Sequence, residues 1–212
     1  MSHANHNHHA NKHAVYLASR SPRRRELLAQ VGISFEPLLF RACSRHDPEV
    51  CEDTLANEAP EDYVQRIALA KVAHGQHLRQ IRKLPAGLIL SADTAVDIDG
   101  EIIGKPRDAW DAVQILQRLS GRAHRVLTAV AVADSSHHKV AVSISEVRFR
   151  QLNDEEIHRY VASNEPMDKA GAYGIQGRAA MFVESIHGSH SGIVGLPLSE
   201  TVMLLRHFKF PI

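Results

Sequence analysis

Three consecutive arginines, Arg23, Arg24 and Arg25, follow Ser19-Arg20-Ser21-Pro22 at the point where an apolar run, Ala14 to Ala18, gives way to helical spacing. Ser21 has the type of an N-cap and Pro22 fits the first helical position. Leu27, Leu28 and Val31 would face a core, and Gly32 lies just beyond the end. A helix N-terminus carries about half a positive charge, so guanidinium groups in its first turn are unfavourable unless an anion sits there. Backbone N–H groups, serine hydroxyls and guanidinium forks together suit a polyphosphate. No GxxxxGK[ST] occurs in the chain, which sets P-loop enzymes aside.

A second cluster is Leu90-Ser91-Ala92-Asp93-Thr94. The apolar run Leu88-Ile89-Leu90 predicts a strand over 87–91, buried on both faces. At its carboxyl end Asp93 would enter a ligand crevice with the Thr94 hydroxyl beside it. Such a carboxylate is a candidate base, and a candidate ligand for Mg²⁺ or Mn²⁺, hard cations that bridge phosphate oxygens. Lys71 follows Val64 and Ile67 at helical spacing, so it shares their inward stripe and needs an anionic partner. Lys105, in Ile103-Gly104-Lys105-Pro106, is aimed by the Gly and Pro around it. The loop from Asp168 to Gly177 spaces glycines three apart, which permits close backbone approach to a ligand. Within it Gln176 offers a donor and an acceptor to a base edge, Tyr173 a ring or hydroxyl, and Asp168 and Lys169 partners for metal and phosphate.

Positioning these groups requires a mixed α/β scaffold. A helix over 60–80 carries Val64, Ile67 and Ala68, and a hairpin over 96–103 turns at Asp99-Gly100. A third helix runs from Asp108 through Trp110, Val113, Leu116 and Leu119 to Ser120-Gly121. Strands over 125–133 and 139–150 form a long hairpin, and Asn153 with Glu156 makes a capping box that opens a helix burying Ile157, Tyr160 and Val161. A strand over 181–186 and a helix over 197–208 close the chain, while 33–60 and 164–180 read as irregular. Helices interleaved with two hairpins predict a mixed sheet flanked by helices, with a cleft as the ligand site.

The 212 residues, 44% apolar, suffice for one domain over 14–212. A formal net charge of +1 supplies no global field for nucleic acid or an anionic membrane. No apolar run approaches the roughly 20 residues that span a bilayer, and the start lacks a signal-peptide stretch, so the expected location is cytoplasmic. Cys43 and Cys51 fall outside CxxC spacing and read as reduced thiols. Of 15 histidines, His3, His6, His8, His9 and His13 crowd a leader over 1–13 that reads as disordered. His124, His137, His138, His158, His187 and His190 show no metal-ligand spacing.

The stretches LASRSPRRRELLAQVG, SADTAV, GKPRDAWDAVQILQRLSGRAHRVLTAVAV, EPMDKAGAYGIQG and GLPLSET resemble, in order, the motifs of the Maf family of nucleoside triphosphate pyrophosphatases. The resemblance implies the Maf fold, similar to inosine triphosphate pyrophosphatases, an elongated mixed sheet with a cleft between two lobes, and a homodimer. It implies hydrolysis of a nucleoside triphosphate to the monophosphate and pyrophosphate with a divalent metal. On that resemblance Asp93 matches the proton acceptor and metal position. Arg23, Thr94 and Gln176 match positions that set base specificity, and Ser19, Arg24, Lys71 and Lys105 match phosphate contacts. DKAGAYGIQG resembles the dTTP/UTP branch, with modified pyrimidine triphosphates as further candidates. Gln176 can pair with O4 and N3–H of uracil or thymine together.

Some positions depart from the family pattern. Phe40 to Asp47 reads FRACSRHD, including Cys43-Ser44, where the family carries an acidic pair. A second metal carboxylate is therefore not assigned, and Asp47, Glu49 and Glu52 are candidates. Arg20 separates the two serines, and His190 stands where a tyrosine is usual, which would alter a cleft wall. The competing readings are a 7-methyl-GTP or ITP/XTP-type pyrophosphatase, and a non-catalytic nucleotide-binding regulator of cell division.

Overall fold

A twelve-residue strand, β3 (Gly87–Ile98), organises the molecule. In the computed structural model, residues 14–40 and 50–212 are described. The His-rich leader, Cys43-Ser44, Asp47 and Glu49 lie outside the described residues. One face of β3 presents Ile89, Ser91, Asp93, Ala95 and Asp97, the other Leu88, Leu90, Ala92, Thr94, Val96 and Ile98, because successive side chains alternate. The strand therefore runs past the predicted end at residue 91. Polar residues inside a strand buried on both faces imitate a strand end, and this one continues because its polar groups find partners.

The sheet order is β2 (Glu36–Pro37), β1 (Ala14–Leu17), β3, β5 (Ala123–Ala133), β6 (His138–Phe149), β7 (Val183–His187), with β4 (Glu101–Ile103) paired to β3. β1 runs parallel to β2 and β3, and the remaining pairs are antiparallel, which is the expected mixed sheet. β2 was not foreseen within the irregular 33–60 segment.

The gap beside β3 places the site. β1 pairs with Gly87–Leu90, ending with the Ala18 amide donating to the Leu90 carbonyl at 2.8 Å. β4 pairs only with Val96–Ile98. Among the described residues, 91–95 thus have no strand neighbour on that side, and Asp93 and Thr94, from opposite faces of β3, both line one cleft.

Two helix layers cover the sheet. α2 (Pro60–Ile81) packs with Val64, Ala68 and Val72 on the Ile89 face, against Leu127, Ala129 and Ala131. Gly75 lets it approach closely, since a Cβ there would lie 2.7 Å from Ile89 Cγ2. On the opposite face, α1 (Pro22–Gln30) and α6 (Leu198–His207) cover the Leu88–Ala92 end. α3 (Ala109–Leu119) and α4 (Asp154–Val161) cover the Val96–Ile98 end around Phe149 and Phe182. Thr94 lies between these two groups.

Local expectations met several corrections. Ser21 sits at the N-cap of α1 but its side chain makes no capping bond; instead its N–H donates to Ser19 Oγ at 3.2 Å. Val31 is exposed, as the C-cap of α1. Trp110 is 67% exposed, since it stands about 200° around the helix from Ala112, the start of the buried stripe. The Asn153–Glu156 capping box forms as predicted. The irregular segment from residue 164 holds three short 3-10 turns, at Glu165–Asp168, Ala170–Ala172 and Arg178–Phe182, the last of which displaces the start of the expected strand over 181–186 to Val183. A five-residue helix, α5 (His190–Val194), was unforeseen. Among the described residues no helix is long and apolar enough to cross a membrane.

Candidate active site

The cleft beside β3 encloses about 950 Å³, within the range of small-molecule sites. The eight residues that match family site positions, Ser19, Arg23, Arg24, Lys71, Asp93, Thr94, Lys105 and Gln176, all line it. They divide between two walls, as strand alternation dictates.

The charged wall lies on the α2 face. Lys71 Nζ stands 2.7 Å from Asp93 Oδ1 and 2.6 Å from Glu52 Oε1, with all three side chains largely buried. Burial pulls the Lys71 pKa down, but Asp93 and Glu52 more than offset this and the net shift is upward. Lys105 Nζ reaches within 3.6 Å of Glu52 Oε2. Ser91 anchors the same stretch, its hydroxyl donating to the Ala68 carbonyl at 2.7 Å.

Of the three candidate carboxylates, Glu52 is the one that lies within the described residues, and it stands against Lys71 and beside Lys105. In the sequence only the acidic character of 47–52 signalled it, and its placement against Lys71 appears only in the fold. Two carboxylates converging on one ammonium nitrogen can also converge on one divalent cation, a donor set that suits Mg²⁺ or Mn²⁺ completed by phosphate oxygens and water.

Arg24 joins the two walls. Its Nε donates to the Gly195 carbonyl at 2.7 Å, one terminal nitrogen to Ser19 Oγ at 3.1 Å, and the other to Thr94 Oγ1 at 3.4 Å. Burial lowers its pKa, with Asp93 countering, and Arg24 stays a cation at neutral pH. The predicted basic helix start is real, but this guanidinium is stapled into the cleft floor rather than projecting. Arg23 instead crosses the mouth to Asp168, 3.6 Å away, while Lys169 holds Asp168 from the other side at 2.6 Å.

The second wall has a neutral part, lined by Thr94, Tyr173, Ile175, Ile193 and Val194, with Gln176 exposed at its edge, while the loop that carries Gln176 adds Glu165, Asp168 and Lys169 to the lining. Behind it Tyr173 is buried, its hydroxyl 2.9 Å from His124 Nε2, and packed edge-on against Phe149. Desolvation lowers the His124 pKa to about 4 and raises that of Tyr173. Gly171, at φ +69, lets the loop lie on Val96, where a Cβ would come within 2.7 Å. His190 is exposed and outside the lining, so the expected alteration of a wall is not seen; α5 presents Ile193 and Val194 instead.

A mixed α/β domain with a buried lysine–carboxylate chain on one wall and a neutral slot on the other defines a class: a protein built to hold a polyphosphate joined to a flat, uncharged group. The family model described as Maf-like protein matches residues 14–208, and the chain belongs to that family. It is 58% identical over 199 residues to a dTTP/UTP pyrophosphatase of Aromatoleum aromaticum, covering 93% of this chain and 97% of that protein. It is 55% identical over 196 residues to a dTTP/UTP pyrophosphatase of Dechloromonas aromatica, covering 92% and 98%. Among solved structures, the Staphylococcus aureus Ham1 protein superposes with a TM-score of 0.41 at 11% identity, over 64% of this chain and 71% of that one.

Proposed function

We propose that the protein hydrolyses dTTP and UTP to the nucleoside monophosphate and pyrophosphate. The observation that carries this reading is Lys71 bridging Glu52 and Asp93 on one wall while the facing wall has a neutral part. A triphosphate laid along the charged wall leaves its base against Thr94, Ile193 and Val194. Membership of the Maf family and the names of the two relatives support the same substrate class.

In this mechanism Asp93 accepts a proton from a water molecule. The water oxygen forms a bond to the α-phosphorus, the bond from that phosphorus to the α–β bridging oxygen breaks, and pyrophosphate leaves. Lys71, Lys105 and the Arg24 staple hold the phosphate chain and stabilise the charge that develops on it. Asp93 and Glu52 would hold a divalent cation, Mg²⁺ or Mn²⁺, which when bound neutralises phosphate oxygens. Substrates of this kind belong to a cytoplasmic nucleotide pool.

The test is a panel of nucleoside triphosphates assayed for pyrophosphate release, with Mg²⁺, Mn²⁺ or chelator, in ¹⁸O-labelled water. The expected result is turnover of dTTP and UTP, dependent on metal, with label in the monophosphate. Label in pyrophosphate, or no pyrimidine turnover, contradicts the reading.

A further inference from the structure

Gln176 by itself does not separate uracil or thymine from cytosine. It is exposed at the cleft, and no hydrogen bond to the described residues fixes its amide. Rotated by half a turn, the amide exchanges donor and acceptor. One orientation suits O4 and N3–H, the other the N4 amino group and bare N3 of cytosine. Discrimination requires a second group whose polarity cannot reverse.

The neutral wall contains one. Thr128 lies directly across from Thr94 on β5, fully buried, and its hydroxyl donates to the Gly192 carbonyl at 2.8 Å. That carbonyl also accepts the Gly195 N–H, at 3.0 Å. Gly192 permits this approach, since a Cβ there would already press on Ser143 Oγ at 3.1 Å. A hydroxyl has one proton, and that of Thr128 is committed. In the 2.9 Å contact between the Thr94 and Thr128 hydroxyls, Thr94 is therefore the donor. The Thr94 oxygen next accepts from Arg24. With its proton and one lone pair used, Thr94 keeps a single lone pair for the cleft and has no proton to offer.

We infer that Thr128 is a specificity-determining positioning residue: by fixing Thr94 as an obligate acceptor, it makes the site select bases whose ring edge carries an N–H, and so uracil and thymine over cytosine. This rests on the proposed pyrimidine triphosphate hydrolysis. N3–H of uracil or thymine donates to Thr94 while Gln176 donates to O4. The N3 lone pair of cytosine instead meets another lone pair, which costs a desolvated and unsatisfied polar contact. Purines with an N1–H present the same donor, so Thr94 sorts bases by edge polarity and not by size.

The test compares kcat/KM for UTP and CTP, and for dTTP and dCTP, at neutral pH. In Thr128→Val the Thr94 proton is released to turn toward the cleft, and the UTP:CTP ratio falls by about tenfold. Thr128→Ser restores it. In a Thr94→Val background, Thr128→Val shifts the ratio no further. General damage to the fold lowers both substrates together, so a ratio within about twofold of wild type in Thr128→Val overturns the inference. Should Thr128→Val fail to fold, the wild-type enzyme decides with N3-methyl-UTP: loss of turnover to the level of CTP supports the acceptor role, and turnover close to that of UTP overturns it. Wild-type protein that hydrolyses no pyrimidine triphosphate overturns the parent reading, whereas normal UTP preference with an unmoved ratio overturns only the role of Thr128.

Discussion

Asp93 and Thr94 are neighbours in the chain yet belong to opposite walls of the cleft, and the walls are built by different physics. On the α2 face, ion pairs hold Asp93, Lys71 and Glu52 together. On the other face, packing and hydroxyl chains hold Thr94, Thr128 and α5. Strand alternation lets one dipeptide place a carboxylate on one side of the cleft and a hydroxyl on the other. On the proposed function, the division implies that damage to the charged wall falls mainly on turnover, while damage to the neutral wall falls mainly on substrate choice.

The strongest challenge to this division is Asp93→Asn. The amide preserves shape but accepts no proton, so kcat should drop by about 10³-fold while the melting temperature changes little. Steady-state pyrophosphate release with UTP checks it. A variant that keeps near-wild-type turnover removes Asp93 from the role of proton acceptor. Lys71→Met comes next. It leaves two carboxylates facing each other without their cation, and kcat/KM should fall by about 10²-fold. Stripping the cation from largely buried partners destabilises the fold by about 3 kcal/mol, measurable by denaturant titration. Retained kcat/KM would place the phosphate chain away from this wall.

The charged wall was far more legible in the sequence than the neutral one. A carboxylate after Leu88-Ile89-Leu90 stands out against its apolar context, and Lys71 breaks an inward helical stripe; both are local contrasts of polarity. Glu52 has no such contrast, because it lies among other acidic residues in an irregular segment, and only folding brings it to Lys71. Thr128 is quieter still. Within VLTAVAV a threonine is an ordinary β-former, and its partner carbonyl is 64 residues away in sequence. α5 is too short for periodicity to announce it. The length of β3 was hidden by its own polar residues, since Ser91, Asp93 and Thr94 look like a boundary until their partners are known.

On the neutral wall, Gly171→Ala is expected to act through shape. A Cβ would press on Val96 at a left-handed φ that disfavours side chains. The Gly171 N–H also ties the loop to the Gly104 carbonyl beside Lys105, at 3.0 Å. Displacing the loop moves Gln176, so KM for UTP should rise by about tenfold with a smaller change in kcat. An equal loss in kcat would mean that the loop also positions the reacting phosphate.

The smallest effect expected at neutral pH belongs to His124→Gln. Burial depresses the His124 pKa from 6.5 to about 4, so the folded protein holds a neutral ring in a range where the unfolded chain takes up a proton. The stabilisation is complete above pH 6.5 and is lost as the pH falls toward 4, because there the unfolded state binds more protons. Across that window the loss is on the order of 3 kcal/mol, at up to about 1.4 kcal/mol per pH unit. A glutamine side chain at this position can still bond the Tyr173 hydroxyl but does not titrate. The unfolding free energy of the variant should therefore fall less steeply than that of wild type between pH 6.5 and 4, with UTP turnover at neutral pH unchanged. Parallel slopes would show that His124 titrates normally and that the aromatic support of the neutral wall admits water. A parallel fall in turnover at neutral pH would show instead that the support reaches the chemistry, and the two walls would then not be separable.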